Sequence, residues 1–331
     1  MQLGHNSLER ALSRLLFPTP REMSLEDVAD VVRQFVDAAV FAHTAGFDGV
    51  QLHCSHGYLL AQFLSPNVNL RQDKYGGSVE KRLTIVLEIV KEIRAKLPAS
   101  FCVGVKLNSS DYVKGGLTAD DALSNVKGLA LSGGVDFIEI SGGTYENATM
   151  LGSDVPAEDA HQDGVARSTA AREAFFVDFA ARARRELRSL AMSTPPPAVM
   201  VTGGFKTRRV ISEVVASGET DLVGIGRPAC VEPDVARRLC KAQESEVEAP
   251  RVRVEGAGAR ILQSLPVALF GPGVSTIWHT LALAQLSRGE AVDRRAGLVR
   301  AFLREWVAPI GRQILFVALL PFMALAAALL R

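Results

Sequence analysis

The sequence predicts an α/β fold in which parallel strands alternate with helices around a shared hydrophobic core. The chain of 331 residues is 48% hydrophobic and 22% charged, which is the balance of an ordinary folded protein. Short apolar runs with the length of buried strands alternate with longer runs whose apolar residues recur at helical spacing. Glycine, proline or a helix-capping residue separates many of these runs. This alternation is typical of parallel βαβ units.

The first predicted helix begins after the N-cap Ser24 and ends near Gly46. Acidic residues occupy its first turn, and apolar residues recur at helical spacing as far as Ala42. The run from Phe47 to His53 follows a glycine directly and has the length and composition of a buried strand. The first predicted unit is therefore a helix that leads into a strand.

Four further helix–strand pairs follow along the chain. The helices are predicted at Ser78 to Leu97, Thr118 to Leu131, Thr169 to Leu190 and Thr207 to Ser217. The strands are predicted at Phe101 to Leu107, Val135 to Ile140, Ala198 to Thr202 and Asp221 to Ile225. Five parallel strands are compatible with an open doubly wound sheet or with part of a barrel. A complete (β/α)₈ barrel needs eight strands, so the barrel interpretation implies that about three βα units are missing from the front.

The C-terminal part of the sequence departs from this alternation. We expect the α/β domain at residues 1–242, a helical C-terminal extension at 243–310 and a hydrophobic tail at 311–331. The run Ile314 to Leu330 has no charged or polar side chain, and it lies at the lower limit of the roughly 17–25 residues that span a bilayer. The tail is thus interpreted either as a transmembrane helix, a possible membrane anchor, or as a buried helix docked on the domain.

Charge and cysteine content limit the partners and the compartment. Lys and Arg together number 37 and Asp and Glu 36, so no net field attracts nucleic acid, and we expect small-molecule partners. The four cysteines lie far apart without a C-x-x-C pair, which favours a reducing compartment. The N-terminus lacks the apolar core of a signal peptide. We therefore expect a protein on the cytoplasmic side that is not secreted.

Three polar residues, His53, His56 and Tyr58, stand at the end of the first predicted strand and in the turn beyond it. In βα barrels this end of the strands is where active sites are built. Taken alone, the two histidines are also compatible with a metal site or with hydrogen bonding to neighbouring backbone. The metal interpretation is weak because no H-E-x-x-H helix or nearby acidic ligand is present.

The residues after this cluster carry a long and specific signature. It runs through Gly57 to Pro66 and Asn69 to Ser78 and continues at Arg82. Further motifs stand at Pro20 to Met23, Ala45 to Val50, Val105 to Lys106, Ile140 to Tyr145, Val201 to Phe205 and Gly224 to Pro228. Together they resemble the Old Yellow Enzyme family of flavin-dependent ene-reductases over Pro20 to Leu239, and Trp278 to Asp293 is more weakly similar to the longer tails of fungal members.

The resemblance implies a fold and an activity. The fold is the (β/α)₈ TIM barrel, here an incomplete barrel that lacks about the first three βα units. The activity is FMN-dependent: bound FMN takes a hydride from NAD(P)H and passes it to an activated alkene, the small-molecule substrate. A second hypothesis follows from the missing strands, namely a catalytically degenerate, membrane-tethered barrel fragment that binds flavin poorly or not at all.

The resemblance also implies roles for individual residues. His53 and His56 would donate hydrogen bonds to the substrate's activating oxygen, and Tyr58 would supply the proton. Lys106 would lie beside the flavin's N1 and C2 oxygen, although many members carry Arg at this position. The phosphate would be held at the ends of the last two strands by Gly203, Gly204, Gly226 and Arg227, residues that plain turns would also explain. Arg71 and Asp73 are interpreted as a structural brace of their loop.

Overall fold

The computed structural model describes residues 21–143, 163–203, 205, 207–241, 270–294 and 297. Its helices are α1 (Leu25–Thr44), α2 (Leu59–Leu64), α3 (Val79–Lys96), α4 (Ala119–Leu131), α5 (Asp163–Ser189), α6 (Arg208–Ala216), α7 (Val235–Lys241) and α8 (Phe270–Ser287). Its strands are β1 (Gly49–Cys54), β2 (Cys102–Asn108), β3 (Phe137–Ser141), β4 (Ala198–Thr202) and β5 (Leu222–Gly224). The chain divides into two compact units, of which the first contains all elements through β5 and the second contains α7 and α8.

The five described strands form one parallel sheet in the order β1-β2-β3-β4-β5. Their register places His53 beside Lys106 and Lys106 beside Glu139 on three neighbouring strands. Because side chains alternate between the two faces of a strand, residues paired in this way share one face of the sheet. The register therefore sets a row of polar side chains on one face of a largely apolar sheet, towards the C-terminal ends of β1 and β2.

The opposite face of the sheet packs against the helices. Val105 of β2 and its register partner Ile138 of β3 are fully buried there, as are Ile85, Ile89 and Ile93 along one face of α3. The three isoleucines of α3 recur every four residues, one of the helical spacings that the sequence analysis used. The sheet and its helical layer thus form one hydrophobic core behind the polar row.

The helix starts follow from their capping residues. Ser24 and Thr118 each form a capping box. The hydroxyl of the cap accepts a hydrogen bond from the backbone N–H of the third helical residue, and the carboxylate of that residue accepts one from the backbone N–H of the cap. The hydroxyl of Ser78 accepts from the N–H of Lys81 at the start of α3. The N-terminus predicted at Ser24 is therefore confirmed.

Three elements differ from the sequence prediction. Helix α5 begins at Asp163, earlier than predicted, and the short helices α2 and α7 were not predicted at all. Helix α2 has only 6 residues, which is too short to show a helical period, and it is stabilised by burial of Leu60, Phe63 and Leu64. Packing rather than local pattern thus determines this helix.

The fold class predicted from the sequence, α/β with a parallel sheet, is confirmed. Closure into a barrel that lacks its first three units stays a prediction, as do the domain boundaries. The tail from Ile314 to Leu330 lies outside the described residues. Among the helices that the structure does describe, none is both long and apolar enough to cross a membrane.

Candidate active site

The turn after β1 brings the three predicted catalytic residues together. His56 and Gly57 both have positive φ, 62° and 75°, so the chain reverses sharply before Tyr58 begins α2 as its N-cap. The ring of His53 lies 5.2 Å from that of His56 and 4.9 Å from that of Tyr58, measured between centroids. Tyr58 is 48% exposed, which leaves the cluster accessible from solvent. A substrate atom can therefore approach all three side chains.

Two neighbouring strands anchor His56. Its backbone N–H donates to Oδ1 of Asn108 at 3.2 Å, and its Nε2 lies 2.6 Å from the hydroxyl of Ser141. Asn108 in turn donates to Oδ1 of Asp111 and to the carbonyl of Gly143. A non-glycine residue at positive φ is uncommon, and these contacts hold the conformation in place. Asn108 and Ser141 are thus site residues that the sequence analysis missed, although each ends a strand as His53 nearly does.

His53 has a different partner. The hydroxyl of the buried Ser55 lies 3.4 Å from its Nδ1, a contact at the long end of hydrogen bonding. The hydroxyl of Ser141 can likewise donate to Nε2 of His56, which would place the ring N–H of His56 on Nδ1. In each histidine one ring nitrogen therefore contacts a serine hydroxyl of the protein.

Both histidines are neutral at neutral pH. Burial and the charge of Lys106 lower the pKa of His53, and the same causes, together with His53, lower the pKa of His56 to about 4. Glu139 opposes the shift in both cases and is outweighed. A neutral imidazole still donates one ring N–H, so each histidine can act as a hydrogen-bond donor without carrying a charge.

Lys106 forms an ion pair on the same face of the sheet. Its Nζ lies 2.7 Å from Oε1 of Glu139, and Nε2 of Gln51 donates to Oε2 of the same carboxylate at 2.8 Å. The side chains of Glu139 and Lys106 are 6% and 18% exposed. The sequence analysis missed Glu139. An acidic residue within the otherwise apolar strand FIEIS could have indicated it, because carboxylates are seldom buried without a partner.

The predicted phosphate-binding residues are placed only in part. Gly203 follows β4 with φ of 124°, and a Cβ built there would meet no atom of the described residues within 4 Å. Gly204 lies outside the described residues. Gly226 and the exposed Arg227 come directly after β5. They belong to the second compact unit, whereas Gly203 belongs to the first. Their phosphate role stays a prediction.

The loop between α2 and α3 is braced as predicted. The guanidinium of Arg71 donates to both carboxylate oxygens of Asp73 and to the backbone carbonyl of Met23. The hydroxyl of Tyr75 donates to Glu88 of α3 at 2.8 Å. These contacts confirm the structural role of Arg71 and Asp73. In the part of the chain that the structure describes, no group of three or more His, Cys, Asp or Glu side chains is arranged to hold a metal ion.

Known proteins are similar to this chain over most of its length. The NADH:flavin oxidoreductase / NADH oxidase family matches residues 5–246. The NADH-dependent flavin oxidoreductase iccE of Talaromyces variabilis is 43% identical over 235 residues, covering 70% of this chain and 53% of that protein. The iliE protein of Neonectria sp., which carries the same description, is 44% identical over 233 residues, 70% of this chain and 29% of that protein.

A bacterial relative and a solved structure extend the likeness. The NADPH dehydrogenase of Bacillus subtilis is 33% identical over 232 residues, covering 70% of this chain and 60% of that protein. A 2-naphthoyl-CoA reductase in complex with 2-naphthoyl-CoA matches with a TM-score of 0.55 and 25% identity, over 69% of this chain and 32% of that chain. This chain thus spans about half, or less, of the length of its fungal relatives. Because the family matches most of its residues, the chain belongs to the NADH:flavin oxidoreductase / NADH oxidase family.

Proposed function

We propose that this chain carries the substrate side of the active site of an FMN-dependent NAD(P)H:flavin oxidoreductase that reduces activated alkenes. The observation that carries the proposal is the convergence of His56 and Tyr58 on His53, whose ring centroid lies 5.2 and 4.9 Å from theirs, beside Lys106 on the next strand. Membership of the family supports FMN as the cofactor and NAD(P)H as the reductant. The choice of an activated alkene rests on the resemblance to the Old Yellow Enzyme family, and the chemistry of the three side chains is consistent with it.

The two histidines would bind the carbonyl oxygen of the substrate. Negative charge accumulates on this oxygen as a hydride reaches the alkene carbon conjugated to it, and donors fixed in advance stabilise that charge. Both rings are neutral and each has one nitrogen held by a serine hydroxyl, so each can direct a single N–H at the oxygen. His53 and His56 would therefore act as a carbonyl clamp rather than as proton donors.

Tyr58 would supply the proton that completes the reduction. A phenol keeps its proton at neutral pH and can release it to a carbanion-like carbon in the transition state. Its ring contacts that of His53, so its hydroxyl and the carbonyl clamp can reach the same small molecule. The proton would move from Oη of Tyr58 to the carbon next to the carbonyl, and solvent would restore it through the exposed side of the ring.

Two features of the described residues fit a flavin nucleotide. Lys106 places a fixed positive charge at the same end of the sheet as the histidines, where it would stabilise negative charge on the flavin's pyrimidine ring. At the end of β4, no atom of the described residues lies within 4 Å of a Cβ built on Gly203, which is compatible with the approach of a phosphate to the backbone. When bound, FMN would supply the hydride transfer between NAD(P)H and the alkene.

The proposal is tested by purifying this chain and measuring flavin and turnover together. We expect the chain, after incubation with FMN and removal of free flavin, to retain the visible absorbance of the oxidised cofactor. We also expect NAD(P)H oxidation that accelerates when a conjugated enone is added. If flavin is retained but the enone has no effect, the alkene assignment is wrong. If flavin is not retained at all, the residues of this chain are not sufficient for its binding.

A further inference from the structure

One polar network at the site is not explained by the roles assigned above. Glu139 lies on β3 with both carboxylate oxygens engaged, one by Lys106 of β2 and the other by Gln51 of β1. The carboxylate thus contacts donors from two other strands of the sheet. Gln51 stands two residues before His53, so the network reaches directly below the histidine cluster.

This ion pair is much more buried than a surface pair of the same kind. The surface pair Lys127 and Glu186 joins two helices with side chains 38% and 44% exposed, whereas Glu139 is only 6% exposed. A buried pair contributes little stability relative to apolar side chains of similar size, because both charges lose their hydration. Stability alone therefore does not account for a carboxylate at this position, and an electrostatic role beside the reacting groups does.

Charge compensation is the consequence of the pairing. Burial alone disfavours the charged carboxylate, but the hydrogen bond and charge of Lys106, with smaller contributions from its other hydrogen-bond partners, outweigh it and lower the pKa of Glu139, so the carboxylate is ionised. The charged and titratable groups facing the pair are His53 of β1 and His56 of the following turn. Lys106 opposes the protonation of both histidines and Glu139 favours it. The two opposite charges thus act on the same two rings.

We propose that Glu139, held in place by Gln51, is the positioning residue that fixes the Lys106 ammonium beside the histidines and offsets its charge. The inference rests on the proposed function, since it concerns the lysine assigned to the flavin. It makes Lys106 a fixed and partly compensated cation rather than a mobile one. Its first test needs no flavin, so the proposal can fail independently of the proposed function.

The first test measures the pKa of His53 by NMR titration of ring signals in the flavin-free chain. Glu139→Gln removes a negative charge that favours the protonated ring, so the pKa of His53 falls, by roughly half a unit or more at this range of separation. Lys106→Met removes a positive charge and raises it. The matched control Glu186→Gln, which breaks a surface Lys–Glu pair, leaves it unchanged.

The opposite signs separate the electrostatic role from a merely structural one. A site that only loosened would admit water and raise the pKa of His53 in both variants, because water relieves the cost of burial. Equal shifts, or no shift in either variant, would overturn the proposal. If Glu139→Gln does not fold, Lys106→Met and Glu139→Asp still decide the outcome, because the aspartate keeps the charge and leaves the pKa of His53 close to its original value.

The second test uses the flavin-loaded chain and measures the midpoint potential of the bound flavin. Glu139→Gln leaves the cation uncompensated and shifts the potential upward, because reduced flavin is anionic. Lys106→Met shifts it downward. A potential that is the same in Glu139→Gln and in the Glu186→Gln control would contradict the proposal, even in protein that binds flavin normally.

Discussion

His56 has an unfavourable backbone conformation that its partners stabilise. Its φ of 62° lies in the left-handed region, which costs a non-glycine residue about 1 kcal/mol or more. Asn108 holds the backbone N–H and Ser141 holds the ring, so both the turn and the side chain are fixed from neighbouring strands. The position of this histidine therefore depends on groups far away in the sequence.

Removing the hydroxyl of Ser141 is expected to impair catalysis more than stability. Ser141→Ala frees Nε2 of His56, the ring then samples other orientations, and we expect the turnover number for enone reduction to fall about tenfold or more. Ser189→Ala is the control, since its exposed hydroxyl bonds only to a carbonyl of its own helix. Steady-state kinetics of both variants test this prediction. Equal turnover numbers for Ser141→Ala and Ser189→Ala would show that Ser141 does not orient the ring.

The pKa of His56 predicts a pH dependence of stability. In the folded protein this pKa is about 4, below its ordinary value of 6.5. The unfolded chain binds a proton between these values and the folded chain does not, so stability is full above about pH 6.5 and is lost as pH falls towards 4. The difference in pKa corresponds to a loss of up to about 3 kcal/mol.

His56→Asn tests this linkage, because Asn also tolerates the left-handed conformation. We expect the free energy of unfolding in urea to fall less between pH 7 and pH 5 for the variant than for the original chain. Carboxylates contribute equally to both proteins and cancel in the comparison. An identical pH dependence would mean that His56 titrates normally in the folded protein.

At the scale of elements, helix α2 connects the site to the core. It follows the N-cap residue Tyr58 and buries most of its short length, although the side chain of Tyr58 forms no capping hydrogen bond. Arg82 of α3, itself buried, donates to the carbonyl of Leu64 at the end of α2 and to that of Gly77. One guanidinium thus satisfies the C-terminus of α2 and the loop before α3, which fixes the helix that carries Tyr58.

Replacing Arg82 is expected to loosen α2 selectively. Arg82→Met keeps the aliphatic part of the side chain but leaves the buried carbonyl of Leu64 without this donor, which costs about 1–3 kcal/mol. Hydrogen exchange of the amides in α2 is expected to accelerate along with the loss of global stability. Arg33→Met, which removes an exposed i,i+3 pair in α1, should change stability by less than about 0.5 kcal/mol. Unaltered protection of α2 in Arg82→Met would refute the bracing role.

At the scale of the whole molecule, the sequence predicts best what depends on local pattern. The helical face of α3 and the caps Ser24 and Ser78 could be identified because period and capping chemistry are local. His53 and Lys106 could be singled out because they stand at or near the ends of strands. The likeness to a known family then supplied their expected roles.

What the sequence could not predict depends on strand register. Glu139 contacts Lys106 and Gln51 only because three strands align in a particular register, and no local pattern encodes that alignment. Asn108 and Ser141 meet His56 for the same reason. Helix α2 was missed because its 6 residues are shorter than two helical turns. Long-range contacts thus complete the site that local motifs only indicate.

The central claim is that Tyr58 delivers a proton to a substrate held by the histidines, and rapid mixing of the two half-reactions tests it most directly. Tyr58→Phe should leave flavin reduction by NAD(P)H unchanged and slow flavin reoxidation by an enone by roughly 10²–10⁴-fold, the range of acid catalysis. Tyr75→Phe, which removes a hydroxyl from the braced loop, should slow neither step. Reoxidation of Tyr58→Phe by the enone at the original rate would contradict the account.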